Sequence, residues 1–370
     1  MNRRKFLSAL ASISAMMPFK GVAGTLFSGT KKGFNILLLG DIHFDKPEHH
    51  DVEYVKTHSR AGVGEFSRYC KFTRDNFPAL MQVVKEQANT FKAEFILQLG
   101  DFVQGLCGSK ELATRQVNDF ISAVKEKNFD RPFIVVKGNH DINGEGAPEM
   151  YIDTILPWQA KELKRPVESA NLSFVQQNTR FVLFDCYSDD SLEWLQQVLK
   201  GHKEQNLVFC CHVPIVPFDE RSNLIQYYGD AQKRNTLLNL LGKHKAIVVC
   251  GHLHKTCILT RQTAQGNFVQ VSICSIIRAL DAPVKDVLKG LDAYNGDLVN
   301  LLPKFSVNSM PHRRALLMQE KPFIRYYEYA NFSGYSTMQI KSNGEITMSI
   351  FQNTSKKPWQ TVNLSALLKV

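Results

Sequence analysis

The sequence predicts an α/β fold in which parallel strands are covered by helices. Two observations carry this. Short apolar runs that end in glycine alternate with helix-patterned stretches, and several of these runs are followed at once by Asp, Asn or His. Strands separated by helices imply a parallel sheet with helices on its face.

The elements follow in order. "FNILLLG" reads as a strand ending at Gly40, and a helical pattern covers about Asp75 to Phe91. "FILQLG" is a second strand ending at Gly100, a helix follows over Glu111 to Lys127, and "PFIVVKG" is a third strand ending at Gly138. "LSFVQQNTRFVLFD" reads as a hairpin turning at Gln177-Asn178. "DDSLEWLQQVLKG" is a helix opened by Asp and closed by Gly201. "LVFCC" is a strand, "AQKRNTLLNLLG" a helix, and "AIVVC" and "NFVQVSIC" are strands. Near the end, alternation around Asn343-Gly344 signals another hairpin. Two stretches break the regular order: residues 45–74, with His49, His50 and His58, and residues 276–322, with four prolines. Each follows a strand end that carries polar residues, so each can form a rim or lid.

The first residues read as an export signal. Arg3 and Arg4 precede the apolar stretch Phe6 to Met17, which resembles a bacterial twin-arginine signal. That stretch is too short to span a bilayer, which takes about 20 residues. Small residues at Gly21-Val22-Ala23 suit cleavage, so residues 1–24 are expected to be a signal peptide, with an uncleaved anchor as the alternative. The mature chain is then periplasmic or secreted, with the twin-arginine machinery as a partner and no stable membrane insertion. The formal charge of +10 is mildly basic and includes four basic residues of that signal. It would help draw in phosphate-bearing ligands, with an ordinary solvated surface as the alternative. No basic run interleaved with aromatics appears, so nucleic acid is not expected. The chain has eight cysteines and no C-x-x-C spacing. Cys186, Cys210, Cys211, Cys250 and Cys274 lie in or beside apolar runs and read as buried hydrophobes. Whether Cys70 and Cys107 pair is left open.

The chemistry lies just beyond the strands. Asp41 and His43 follow the first, Asp101 the second, and Asn139, His140 and Asp141 the third. His212 follows "LVFCC", and His252 and His254 follow "AIVVCG". Open α/β sheets bind ligands outside the carboxyl ends of their strands. Carboxylate, amide and imidazole without thiolate suit Mn, Fe or Zn. One ion takes about four such ligands, and more are present. The excess points to two divalent or trivalent metal ions sharing a carboxylate, an arrangement that polarises phosphoryl oxygens and activates water.

In order, "GDIH", "GDFVQ", "GNHD", "CHVP" and "GHLH" resemble the motifs of the calcineurin-like metallophosphoesterase family. The resemblance covers residues 34–275, with residues 45–74 inserted. It implies a two-sheet β-sandwich flanked by helices, completed by C-terminal strands in 323–355 and followed by a tail, 356–370. It implies that Asp41, His43 and His254 hold one metal, that Asn139, His212 and His252 hold the other, and that Asp101 bridges them. His140 resembles the family histidine beside the leaving-group oxygen. Gln104 departs from the pattern, since many relatives have Asp or Asn there. Its amide carbonyl is expected to accept a hydrogen bond from His140 without adding charge. Gln104 is also not the tyrosine of purple acid phosphatases. "GNHD" is similar to the branch containing cyclic-nucleotide phosphodiesterases, and Asp141 is expected to orient its loop. Arg278 is a candidate for binding phosphate.

The reading implied is hydrolysis of a small-molecule phosphomonoester or phosphodiester by a hydroxide held between the metals. The rivals are a cyclic-nucleotide phosphodiesterase and a non-catalytic, metal-dependent binder of phosphorylated ligands. Solvated roles are expected for His49, His50 and His58, packing roles for Trp158, Trp194 and Trp359, and a structural or surface role for Lys137. Cys211 and His212 are neighbours on a strand, so their side chains diverge, and Cys211 is not expected to act as a nucleophile.

Overall fold

The computed structural model describes residues 32–59, 63–221, 230–276, 283–301 and 310–370. The expected signal peptide and Arg278 lie outside them. Fourteen strands are formed among the described residues. They are β1 Phe34–Leu39, β2 Ala93–Gln98, β3 Phe133–Val135, β4 Leu172–Gln176, β5 Thr179–Phe184, β6 Asn206–Cys211 and β7 Ile247–Cys250. The series continues with β8 Thr256–Thr263, β9 Gly266–Ser272, β10 Lys285–Lys289, β11 Ile324–Asn331, β12 Gly334–Ile340, β13 Ile346–Gln352 and β14 Gln360–Asn363. One sheet runs β14-β13-β12-β1-β2-β3 and the other β10-β11-β8-β9-β7-β6-β5-β4.

Period-two alternation sorts the strand residues into three apolar layers. On β1, Ile36 and Leu38 point between the sheets. Leu37 and Leu39 point outward, onto helices Val63–Thr90 and Lys110–Lys127. On β6, Val208 and Cys210 face the other sheet. Leu207, Phe209 and Cys211 face helices Ser191–Lys200 and Ala231–Lys243. The result is helix, sheet, sheet, helix. Both faces of each central strand are buried, which is why these strands read as continuous apolar runs.

Parallel pairing of β1 with β2 and of β2 with β3 places three strand ends along one edge. Parallel pairing of β5, β6 and β7 does the same in the second sheet. The two hairpins expected from sequence form at β4–β5 and β12–β13.

Several features differ from expectation. The stretch expected as a tail, 356–370, adds strand β14 to the edge of the first sheet, because Gln360–Asn363 pair with β13. The helix expected from about Asp75 begins at Val63 and runs through Pro78 to Thr90. Its buried face includes Tyr69, Thr73 and Phe77, so part of that stripe is polar in type and weak as a periodic signal. Strand β8 was not expected from sequence: its apolar run is only Cys257-Ile258-Leu259, flanked by Thr256, Thr260 and Arg261, which are buried as well. His49 and His50 are buried and hydrogen-bonded instead of solvated, while His58 is exposed. Trp158 is buried, and Trp194 and Trp359 pack against the apolar layers, as expected of packing residues. Lys137 pairs with Asp185. All eight cysteines are free thiols, Cys70 and Cys107 included.

Helix Met310–Glu320 is fastened to the second sheet by a buried charge cluster. Glu320 accepts from Arg234 Nη2 at 2.7 Å and from Arg261 Nε at 2.6 Å. Burial pushes the Glu320 carboxyl up, but the Arg261 hydrogen bond and the two guanidinium charges outweigh it and hold it below its ordinary 4.5. The stability this group contributes is complete above that value and is lost as pH falls toward its folded value. Glu320→Gln leaves two buried cations short of charge and should cost about 3 kcal/mol at neutral pH. Denaturant melts at neutral and acidic pH should show wild type and variant converging as the solution is acidified.

Candidate metal centre

The residues singled out beyond the strands converge on the edge shared by the two sheets. The first sheet delivers Asp41 and His43 after β1, Asp101 and Gln104 after β2, and Asn139, His140 and Asp141 after β3. The second delivers His212 after β6 and His252 and His254 after β7. Their donor atoms fall into three groups, each within 4.8 Å: Asp41 with His43 and His254, His43 with Asp101 and His140, and Asp101 with His212 and His252.

The two histidines of "GHLH" face different neighbours. His254 Nε2 lies 3.0 Å from His43 Nε2 and 3.3 Å from Asp41 Oδ1. His252 Nδ1 lies 3.2 Å from His212 Nε2, which is itself 3.0 Å from Asp101 Oδ2. Asp101 therefore stands between the pairs, with His43 Nε2 at 3.9 Å from the same oxygen.

Local backbone shape makes this convergence possible. His43, Asp101, His252 and His254 all have positive φ, between 51° and 72°. Such conformations are costly for residues with a Cβ and gather at functional sites. The strained loops are cross-tied. Ile42 and His43 donate their N–H groups to the Asp101 carbonyl, and His252 donates to the Asp41 carboxylate at 3.0 Å. Asp141 orients its surroundings as expected. Its carboxylate accepts from the main-chain N–H groups of Gly138, Asp101, Phe102 and Val103.

The donor set fits metal ions. Burial and the neighbouring His140 and His254 hold His43 well below the ordinary imidazole value, which leaves it neutral with a lone pair to give. Burial and His212 lower His252 to about 3. Burial alone would lower His212, but the Asp101 carboxylate lifts it to about 10. Burial also opposes the charge on Asp101, yet His212 and His140 hold its carboxyl well below the usual range. His212 donates Nδ1–H to the Leu99 carbonyl at 2.8 Å, which directs Nε2 into the site. The Asn139 Oδ1 is buried and accepts no hydrogen bond. An orphaned carbonyl oxygen beside a carboxylate and imidazoles matches an oxygen ligand awaiting a cation. Asn139, His140 and His252 are half-buried and the other donors buried, so the cluster opens to solvent on the side of these three.

The arrangement corrects one expectation. His140 donates Nδ1–H to the main-chain carbonyl of Gln104 at 2.6 Å, not to its amide. The Gln104 side-chain Oε1 is buried without a hydrogen bond. Sequence reading also missed Tyr69, whose ring stacks on His43 at 4.5 Å. The signal for it was its spacing of four residues before Thr73 and eight before Phe77 on one helix face.

Residues 34–256, more than half of the chain, match the calcineurin-like phosphoesterase family. The chain belongs to that family. This calcineurin-like phosphoesterase is a metal-dependent hydrolase of phosphoric esters. No curated protein sequence matches it significantly. Its fold is shared by a purple acid phosphatase, PPD1, from yellow lupin (Lupinus luteus), at TM-score 0.51 and 10% identity over 90% of this chain and 54% of that one. It is shared by a dimetal phosphatase from Danio rerio, at 0.50 and 13% over 90% and 99%. The GAP50 anchor of the inner membrane complex of Plasmodium is similar too, at 0.50 and 13% over 90% and 89%.

Close packing leaves no room at the glycines of this calcineurin-like centre. A methyl group on Gly138 would overlap the Asp101 main-chain nitrogen and Oδ1, and one on Gly100 (φ +94°) would overlap the His212 ring. Gly138→Ala must therefore displace Asp101. It should lower kcat/KM about a hundredfold, the scale of an ångström-level misplacement, with secondary structure by circular dichroism retained. Unchanged turnover would show that Asp101 tolerates the shift.

Proposed function

We propose that this chain is an exported two-metal phosphoesterase acting on small-molecule phosphomonoesters or phosphodiesters. Asp41, His43 and His254 hold one ion, Asn139, His212 and His252 hold the second, and Asp101 is shared. The observation that carries this reading is the division of the histidines into two facing pairs on either side of Asp101. The donor chemistry suits Mn, Fe or Zn, and such ions supply Lewis acidity toward phosphoryl oxygens and lower the pKa of bound water.

The protein's own residues do the rest. Asp101 fixes the separation of the two ligand sets, and Asp141 braces the loops that carry Asp101 and Asn139. Asn139 turns its amide oxygen inward at the open side and gives no proton. His140 has its Nδ1–H committed to the Gln104 carbonyl, so Nε2 is the atom that exchanges a proton with the leaving oxygen. Asp101 accepts the His140 main-chain N–H at 2.8 Å, which fixes the ring's backbone relative to the ligands.

Export is supported by Arg3-Arg4 and the short apolar stretch after them. Among the described residues no helix is long and apolar enough to cross a membrane. Free thiols in all three apolar layers suit a chain that folds before it is exported.

The test is turnover of metal-reconstituted protein on chromogenic mono- and diesters, with Asp101→Ala and His252→Ala beside wild type. Both variants should lose at least about a hundredfold, the scale reported for removing a group that stabilises developing charge. Turnover unchanged in both would overturn the assignment. Metal analysis should also show His252→Ala and His254→Ala each retaining the ion that the other loses. Equal loss of both ions from either variant would contradict the division.

A further inference from the structure

The histidine assigned to the leaving group is held by a peptide carbonyl, which raises the question of what holds the peptide. The Gln104 C=O and the Gly105 N–H belong to one planar unit and point in opposite directions. His140 Nδ1–H takes the carbonyl end at 2.6 Å. The other end, Gly105 N–H, donates to Gln116 Oε1 at 3.0 Å. The Gln116 amide is itself oriented, because its Nε2 donates to Asp45 Oδ1 at 2.8 Å. Both Gln116 and Asp45 are buried.

The same carboxylate has a second arm. His50 Nε2–H donates to Asp45 Oδ1 at 2.7 Å, and Nδ1–H donates to the Leu106 carbonyl at 3.2 Å. Both ring nitrogens face acceptors, so His50 is an imidazolium and pairs with the buried acid. Phe66 packs beside its ring at 4.8 Å. Two routes therefore run from Asp45 to the loop Gln104-Gly105-Leu106, through Gln116 and through His50. The loop has no slack. Gly105 has φ +70°, and a methyl group there would overlap the His140 carbonyl oxygen. Leu106 N–H is also tied to the Asn143 carbonyl at 2.7 Å.

We propose that Asp45, Gln116 and His50 are positioning residues for His140. Carboxylate, amide, peptide and imidazole form one directed chain of hydrogen bonds, in which each donor is aligned by the acceptor before it. Such chains polarise cooperatively. The Asp45 carboxylate, as the terminal acceptor, aligns the two amide units and so favours the proton on His140 Nδ1. This accounts for Gln104: its side chain contributes no charge to His140, and the negative group lies farther back, in the segment after "GDIH". The inference rests on the reading that His140 assists the leaving group.

The test is the dependence of turnover on the leaving group. Aryl and alkyl phosphate esters spanning good and poor leaving groups are assayed with fully metal-loaded wild type, Gln116→Met, His50→Gln, His140→Ala and the Gln116→Met/His140→Ala double variant. Gln116→Met should lose at least about tenfold more turnover with the poorest leaving group than with the best, part of the range for general acid–base assistance. The double variant should lose no more than His140→Ala alone. Equal loss across leaving groups, or additive losses in the double variant, overturns the network. A flat profile for His140→Ala itself overturns the underlying reading instead. Metal content and thermal melts identify a variant that fails to fold, and His50→Gln, on the other arm, then decides by the same profile.

Discussion

Asp101 occupies a point where every part of the site must agree. Its main-chain carbonyl receives the N–H groups of Ile42 and His43, its main-chain N–H goes to Asp141, and its two carboxylate oxygens divide their partners. Oδ1 takes the His140 N–H, and Oδ2 faces His212 and His43. One residue at the end of β2 thus fixes the loops after β1 and β3 and meets a histidine from the second sheet. It does so with positive φ, a conformation that only dense cross-bonding sustains. If Asp101 moves, the separation of the two histidine pairs moves with it.

The sandwich exists to hold that point still. Strands buried on both faces present polar side chains beyond their carboxyl ends, and two sheets packed face to face bring two such edges together. Rigid layers then make small overlaps expensive, which explains glycine at 100 and 138, where a side chain would strike His212 or Asp101. Charges are handled by the same rule. The buried acids Asp41, Asp101 and Asp141 face imidazoles or main-chain N–H groups rather than apolar surface. The buried Asp45 faces His50 and Gln116.

Much of this was legible in the sequence because strand ends have a local signature: an apolar run, in four of the five cases a glycine, then Asp, Asn or His. Each of the five motifs could be read from about six neighbouring letters, and the topology then had few ways to arrange them. What sequence reading missed depends on partners distant in the chain. β8 carries buried threonines whose burial is decided by the neighbouring strand and sheet. Helix Val63–Thr90 buries Tyr69 and Thr73 because the site and Asp45 lie beneath them, as Asp45 N donating to Thr73 Oγ1 at 2.9 Å shows. His50 reads as a loop residue until Asp45 and Leu106 O are known to flank it. The acceptor for His140 is a peptide carbonyl, and no residue type announces that.

The central claim is that one carboxylate joins two ligand sets. Electron paramagnetic resonance during titration of metal-free protein with manganese(II) tests it most directly. Two ions bridged through Asp101 are magnetically coupled, so the hyperfine pattern of an isolated ion should give way to a coupled multiline signal as the second equivalent binds. Asp101→Asn should weaken that coupling. A signal of isolated manganese that persists through saturation, with no coupling at any stoichiometry, would contradict the shared site.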